Sequence, residues 1–329
     1  MKKLLTVLIC ALVIFCTVAF SACGKTGKII TVYVPDGAPA LALAELMHEE
    51  KFGKDVSYRV VGANEIESCV TYVDENKNAD LCILPVNSAS KFLGDGERYK
   101  LLGAVTHGNL FIVAGKEKQE LTRDNFAERV AGKKIGVVNL PAFPGAVLKL
   151  ILNKYGVTDA VLENVQPSEV TGVGSDYDYF VLPEPAASTR AGNANLNLKI
   201  VGSLQTLYGE NGYPQAVLVA KNGLIEDRPD FIRNFVEAVS ENSSWLMEET
   251  VGAETIISAI TSHYADPDNT APGFNAKNLT KEVISNCAVW FENSSDCHKA
   301  VDDILKELKS AGDGKAVEVS ENFYYYFND

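Results

Sequence analysis

The stretch "YVPDGAPALALAELM", Tyr33 to Met47, decides how the fold is read. β-branched and aromatic residues run into Pro35, Asp36 and Gly37, and aliphatic residues then recur at helical spacing, which predicts a strand turning directly into a helix. Asp36 and Gly37 make the turn. Pro39 falls in the first helical turn, where its missing N–H costs nothing. Ala38 and the alanines beyond keep the helix start small, so that it can lie close on a sheet with its first backbone N–H groups open.

Working outward, the same unit recurs without a fixed period. "IITVYV", "VSYRVV", "DLCIL" and "LLGAV" read as buried strands, separated by helical stretches at Ala38 to Glu50, Glu65 to Asp74 and Ser88 to Leu93. A second set follows in "LFIVA", "KIGVV", "VLENV", "YFVL" and "LKIV", with helices expected at Pro144 to Tyr155 and Ala186 to Ala191, and "AVLVA" closes it. Such alternation predicts an α/β protein built on mostly parallel sheets covered on both faces. Beyond it, Arg228 to Glu249, Ala253 to His263, Lys281 to Glu292 and Asp296 to Ser310 are helical by period, giving a helical C-terminal tail.

Two α/β sets of unequal continuity imply two lobes, one interrupting the other. The expected division is 29–106 plus 218–329 for the first lobe and 107–217 for the second. The two chain crossings near Val105 to Phe111 and Tyr213 to Val217 would act as a hinge.

Ahead of this lie Lys2 and Lys3, an uncharged apolar run from Leu4 to Phe20, and then Ser21, Ala22, Cys23 and Gly24. That order reads as a signal peptide over residues 1–22. Cys23 after two small residues resembles a bacterial lipobox, although Phe20 stands where Leu is usual; residues 23–28 would then be a lipidated cysteine and short tether, the alternative being an incidental cysteine. Losing Lys2 and Lys3 takes the net charge from −13 to about −15, which disfavours nucleic acid as a partner. Of the cysteines left for the folded chain, Cys69, Cys82, Cys287 and Cys297, the segment "LCIL" suggests a buried thiol at Cys82. Cys287 and Cys297 bracket the end of one expected helix and the start of the next, a candidate disulfide.

In open α/β sheets a ligand sits beyond the carboxyl ends of the strands. Four strand-to-helix turns share a composition there: Asp36-Gly37-Ala38-Pro39, Asn87-Ser88 after Pro85, Asn139 to Gly145 with Ala142 and Phe143, and Glu184 between Pro183 and Pro185. Each holds proline, small residues and neutral donors. Taken singly they are good helix caps; four in register point to a bound small molecule. Phe143, and Tyr213 before Pro214, are placed to stack on a planar ligand, and His107 in "VTHGN" ends a strand at the proposed hinge. No phosphate loop or dinucleotide fingerprint is present. The histidines lack metal-ligand spacing, and "SASK" with "KTG" falls in the wrong order for a penicillin-recognising enzyme. No metal, cofactor or catalytic residue is expected.

The segments "VPDGAPALALAELM", "ADLCILPVNSASKF", "AVTHGNLFIV", "VAGKKIGVV", "VLPEPAAS", "YPQAVLVAK" and "SENFYYYF", taken in order, resemble the substrate-binding proteins of bacterial ABC importers. The branch is that of nitrate, sulfonate and taurine binders and thiamine-pyrimidine synthase-like proteins. The resemblance implies a type II periplasmic-binding-protein fold, a solute clasped between two lobes by Asp36 to Ala40, Asn87, Ser88, Asn139 to Phe143 and Glu184, and an ABC permease as partner. It also implies a monomer held outside the cell by lipid on Cys23. An enzyme of the thiamine-pyrimidine kind lacks its cysteine-rich motif here, and a cell-surface interaction module is the third class. With Asp36 and Glu184 and no basic residue in the turns, a neutral or weakly basic heteroaromatic suits the inventory better than a sulfonate- or nitrate-like anion.

Overall fold

The computed structural model describes residues 28–268 and 272–327, so the expected signal peptide, Cys23 and nearly all of the expected tether lie outside the described residues. Eleven strands are formed there: β1 Ile30–Pro35, β2 Val56–Val61, β3 Leu81–Pro85, β4 Tyr99–Thr106, β5 Leu110–Gly115, β6 Lys134–Val138, β7 Val161–Val165, β8 Tyr179–Pro183, β9 Leu198–Ser203, β10 Ala216–Lys221 and β11 Val289–Asn293. The first ten coincide with the apolar runs read from sequence. They make a six-stranded sheet, β11-β4-β10-β3-β1-β2, and a five-stranded sheet, β7-β6-β8-β5-β9.

Both sheets are mixed rather than mostly parallel. β1 runs parallel to β2 and β3, and β6 to β7 and β8, whereas β10 is antiparallel to β3 and β4, and β5 to β8 and β9. The reason is the path of the chain. It passes from the first sheet to the second between Thr106 and Leu110 and returns before Ala216, so β5 and β10 each enter their sheet from the end at which the strands beside them finish.

Central strands are buried on both faces, which explains their unbroken apolar runs. Along β3, Leu81 and Ile83 join one core, with Leu41, Leu46, Phe235 and Ile256, while Cys82 and Leu84 join another on the opposite face. That second core continues through Val301, Ile304, Leu305 and Leu308 of the helix Ser294–Ser310 to Val147, Leu148 and Ile151 of the helix Phe143–Lys154, on the other sheet. A single helix of the C-terminal tail thus packs on both lobes.

Four further expectations are corrected. Ala38 to Glu50 is two short helices, Ala38–Leu41 and Ala44–His48, with Leu43 out of helical geometry between them. Glu65 to Asp74 is a series of turns around a short 3₁₀ segment, Ser68–Val70. Ser68 Oγ and Thr71 Oγ1 donate to the carbonyls of Glu65 and Glu67 and compete with helical bonding. Lys281 to Glu292 is helical only to Asn286; Ala288 takes φ 49° and the aromatic run after it becomes the edge strand β11, antiparallel to β4.

The fourth concerns Cys287 and Cys297, which are both free. Cys287 packs with Val283 and Ile284 in one core and Cys297 with Val301 in the other, so β11 and its sheet separate the two sulfurs. Burial pushes the Cys297 thiol up to about 12. At the C-terminus Phe323 and Tyr324 are buried, Tyr325 N donates to Leu101 O (3.0 Å) and Tyr324 Oη to Asp302 Oδ1 (2.7 Å), which docks the aromatic run onto the first lobe. Among the described residues no helix is long and apolar enough to cross a membrane.

Candidate functional site

The four proline-containing turns follow β1, β3, β6 and β8 and meet around one cavity of about 290 Å³ between the two sheets. Asp36, Gly37, Ala38, Pro39, Asn87, Ser88, Asn139, Ala142, Phe143 and Glu184 all line it. Local chemistry sets each turn. Gly37 holds φ 97° and Asn139 φ 65°, conformations that glycine accepts freely and asparagine tolerates. In the third turn a side chain on Gly145 would meet the Leu140 carbonyl oxygen at 1.9 Å, so the chain can fold back this tightly only with glycine there.

Most of the polar side chains expected to face a ligand are already engaged by the protein. Asp36 accepts from Tyr264 Oη (3.1 Å) and from Gly273 N (2.7 Å). Asn87 Nδ2 donates to Asp313 Oδ2 (2.7 Å), and its Oδ1 accepts from Ser88 N (2.9 Å). Glu184, buried at the start of the cis peptide to Pro185, accepts from Ser188 N (3.0 Å), Ser188 Oγ (2.6 Å) and Asn286 Nδ2 (2.9 Å). Asn286 belongs to the first lobe and Glu184 to the second, so this last bond spans the cleft. Asn64 and Asn139 make no side-chain hydrogen bond to protein at this cavity among the described residues, which leaves their amides available.

His107 and Tyr213 do not line the cavity. The His107 ring lies flat on Trp290 (centroids 3.9 Å apart, planes 3° apart), its Nε2 is 3.2 Å from Glu292 Oε2, and its backbone N donates to Ala288 O (3.0 Å). Burial pushes its imidazolium down to about 4, against the smaller opposing effect of the Ala288 contact, so it is a neutral spacer tying the first crossing to β11. Tyr213 is enclosed behind the wall, 6.3 Å from Phe143 and 5.5 Å from Tyr208 by ring centroids. Phe143 is thus the aromatic surface presented to the cavity, and Tyr213 backs it.

Sequence reasoning missed the groups delivered from a distance. Glu67 comes from the turns after β2, Asn109 and Gln215 from the two crossings, and Lys315 from the segment after the last long helix. Gln215 Nε2 donates to Asn109 Oδ1 (2.7 Å) and Asn109 N to Gln215 Oε1 (3.2 Å), pinning the two crossings to each other. Both lie beside the residues flagged at the crossings, which was the available signal. Nothing local marks Lys315, whose ammonium pairs with Glu67, as does Ser88 Oγ (2.7 Å). The cavity wall therefore carries three carboxylates, Asp36, Glu67 and Glu184, against one ammonium.

Burial pushes the Glu67 carboxyl up, but Lys315 and Ser88 outweigh it and hold the group below its ordinary value of 4.5. The pair's contribution to stability is then complete above that unfolded value and is lost as pH falls through the lower folded one. Since both side chains are about one-third exposed, screening limits it to about 1 kcal/mol. Lys315→Met is expected to lower the unfolding free energy by this amount at pH 7 and by almost nothing in acid, at a pH below the folded value. Urea denaturation at both pH values measures it, and equal losses would assign the effect to packing of the lysine stem.

No family model and no curated protein matches the sequence. Among solved structures, an ABC transporter protein from Parabacteroides distasonis is similar at 17% identity, over 92% of this chain and 100% of that one, with a TM-score of 0.70. The periplasmic aliphatic sulphonate binding protein SsuA of Escherichia coli follows at 11% identity, over 92% and 96%, with a TM-score of 0.63. A Candida albicans gene product described as having the generic periplasmic binding protein structural fold is similar at 17% identity, over 90% and 93%, with a TM-score of 0.52. At such identities the likeness establishes the fold, and this chain has the periplasmic binding protein fold.

Proposed function

We propose that this chain is the extracytoplasmic substrate-binding component of an ABC importer, capturing one small organic solute between its lobes and delivering it to a permease. One observation carries the reading: turns drawn from four separate places in the chain close a single cavity between two sheets that are joined by two crossings. The similar solved structures, an ABC transporter protein and a sulphonate-binding protein, support it. They are not described as enzymes, in keeping with a role in holding rather than changing the solute. The sequence before residue 28 supports export, removal of residues 1–22, and anchoring to the cell membrane through lipid on Cys23.

A cavity of about 290 Å³ lies at the low end for small-molecule sites. Its aromatic wall is Phe143, and the free amides of Asn64 and Asn139 supply donors and acceptors. An anion such as nitrate placed about 5 Å from an uncompensated carboxylate would lose about 3 kcal/mol at an effective dielectric of about 20. A neutral or weakly basic heteroaromatic ring therefore suits the inner cavity better. Binding would favour the closed form through the contacts the ring gains with both lobes at once.

Thermal unfolding of the purified chain against pyrimidines, pyridines, alkanesulfonates and nitrate tests this. A heteroaromatic is expected to raise Tm progressively once its concentration passes Kd, and nitrate to leave it unchanged. No rise with any small molecule, together with capture of a surface protein, would establish an interaction module instead.

A further inference from the structure

We propose that the mouth of the cleft is a second subsite, taking the anionic group of a ligand whose uncharged ring occupies the inner cavity. The proposal rests on the solute-binding reading above and adds the ligand's class: a heteroaromatic bearing a phosphate, sulfonate or carboxylate on a short arm.

A second cavity of about 270 Å³ adjoins the first and shares Asn87, Ala142 and Lys315 with it. Three lysines line it from distant parts of the chain, and the ammonium of one of them, Lys315, is already paired with Glu67. Lys91 stands on the helix Val86–Leu93 of the first lobe, Lys149 on the helix Phe143–Lys154 of the second, and Lys315 on the segment after the last long helix. The one carboxylate among them, Asp313, is already committed, since its Oδ2 accepts from Asn87 Nδ2 (2.7 Å) and its Oδ1 from Lys315 N (2.9 Å). Lys91 and Lys149 form no ion pair among the described residues. In a chain whose acids outnumber its bases 43 to 30, two unpaired lysines beside one engaged acid run against the composition.

Charge separates the two compartments. The inner wall, with three carboxylates and an ammonium already paired to Glu67, repels an anion; the mouth attracts one. A dipolar ligand is thereby oriented ring inward and anion outward. Closure also brings Lys91 and Lys149 toward each other from opposite lobes, and like charges resist that approach. An oxyanion between them offsets the repulsion and links the lobes, so its contacts belong to the closed state, which is the condition for a ligand to drive closure.

The test compares pyridin-3-ylmethanol with its phosphate ester by calorimetric titration of the wild-type chain and of a Lys91→Gln, Lys149→Gln double variant. The ester is expected to bind about tenfold more tightly than the alcohol to wild type. That ratio should fall toward one in the double variant and shrink with added salt in wild type. A ratio retained in the double variant, or an ester that binds no better than the alcohol, overturns the subsite. The ring is tested separately: if neither compound binds, the inner-cavity reading fails. The mouth is then judged by inorganic phosphate and methanesulfonate, which should slow acetylation of Lys91 and Lys149, both exposed, relative to exposed lysines elsewhere such as Lys54. Absence of protection by both anions overturns the subsite independently of the ring.

Discussion

Glu184→Ala is expected to lower the unfolding free energy by about 3 kcal/mol and to shift the unliganded protein toward a more open form. The Glu184 side chain is buried and accepts three hydrogen bonds, two from Ser188 and one from Asn286. Truncation removes the acceptor of all three bonds, and each lost bond costs about 1 kcal/mol. The Asn286 bond has a second consequence because it joins the lobes. Its loss removes an attraction that exists only while the cleft is closed, so ligand affinity should fall with stability. Glu184→Gln keeps an acceptor oxygen and should cost about 1 kcal/mol, which separates loss of hydrogen bonds from loss of charge. Urea denaturation gives the energies, and small-angle scattering without ligand gives the opening. A loss below 1 kcal/mol for Glu184→Ala, with unchanged scattering, would show that this bond does not hold the lobes together.

The second large effect is expected at Leu308, fully buried in the helix Ser294–Ser310. The core it joins runs from Leu84, Leu101 and Ala104 in the first sheet to Val147, Leu148 and Ile151 over the second. Leu308→Ala should cost about 3 kcal/mol from lost transfer free energy and the space left behind, and it should also weaken coupling between the lobes. Both tryptophans, Trp245 and Trp290, belong to the first lobe, so fluorescence reports that lobe while far-ultraviolet dichroism reports the whole chain. Wild type should show coincident transitions by the two probes, whereas in Leu308→Ala the dichroism and fluorescence midpoints should separate. Coincident transitions in the variant would mean that the lobes are coupled mainly through the crossings, where Asn109 and Gln215 are hydrogen-bonded to each other.

Legibility in the sequence followed the range of the interactions concerned. Ten strands could be read because an unbroken β-branched run such as "LCIL" states its own burial on both faces. β11 could not, since "AVWFEN" continues the helical pattern of Lys281–Asn286 and becomes a strand only because Ala288 turns left-handed and the exposed edge of β4 offers backbone partners. The same division runs through the candidate site. Asp36, Gly37, Asn139 and Glu184 were legible as turn chemistry, while His107 was drawn off by the Trp290 ring and Glu292.

The sequence by itself determined the α/β units, the four turns that close on one cavity, the acidic balance and the small, neutral character of the helix starts. All of these are set by residues within a few positions of one another, where backbone preference and side-chain period act directly. The tertiary structure alone decided the direction of β5 and β10, the separation of Cys287 from Cys297, and the charge of the cleft. Lys315 reaches Glu67 across 248 residues and Asp313 reaches Asn87 across 226. Pairings of that kind depend on which surfaces the folded sheets bring face to face, and no local pattern records them.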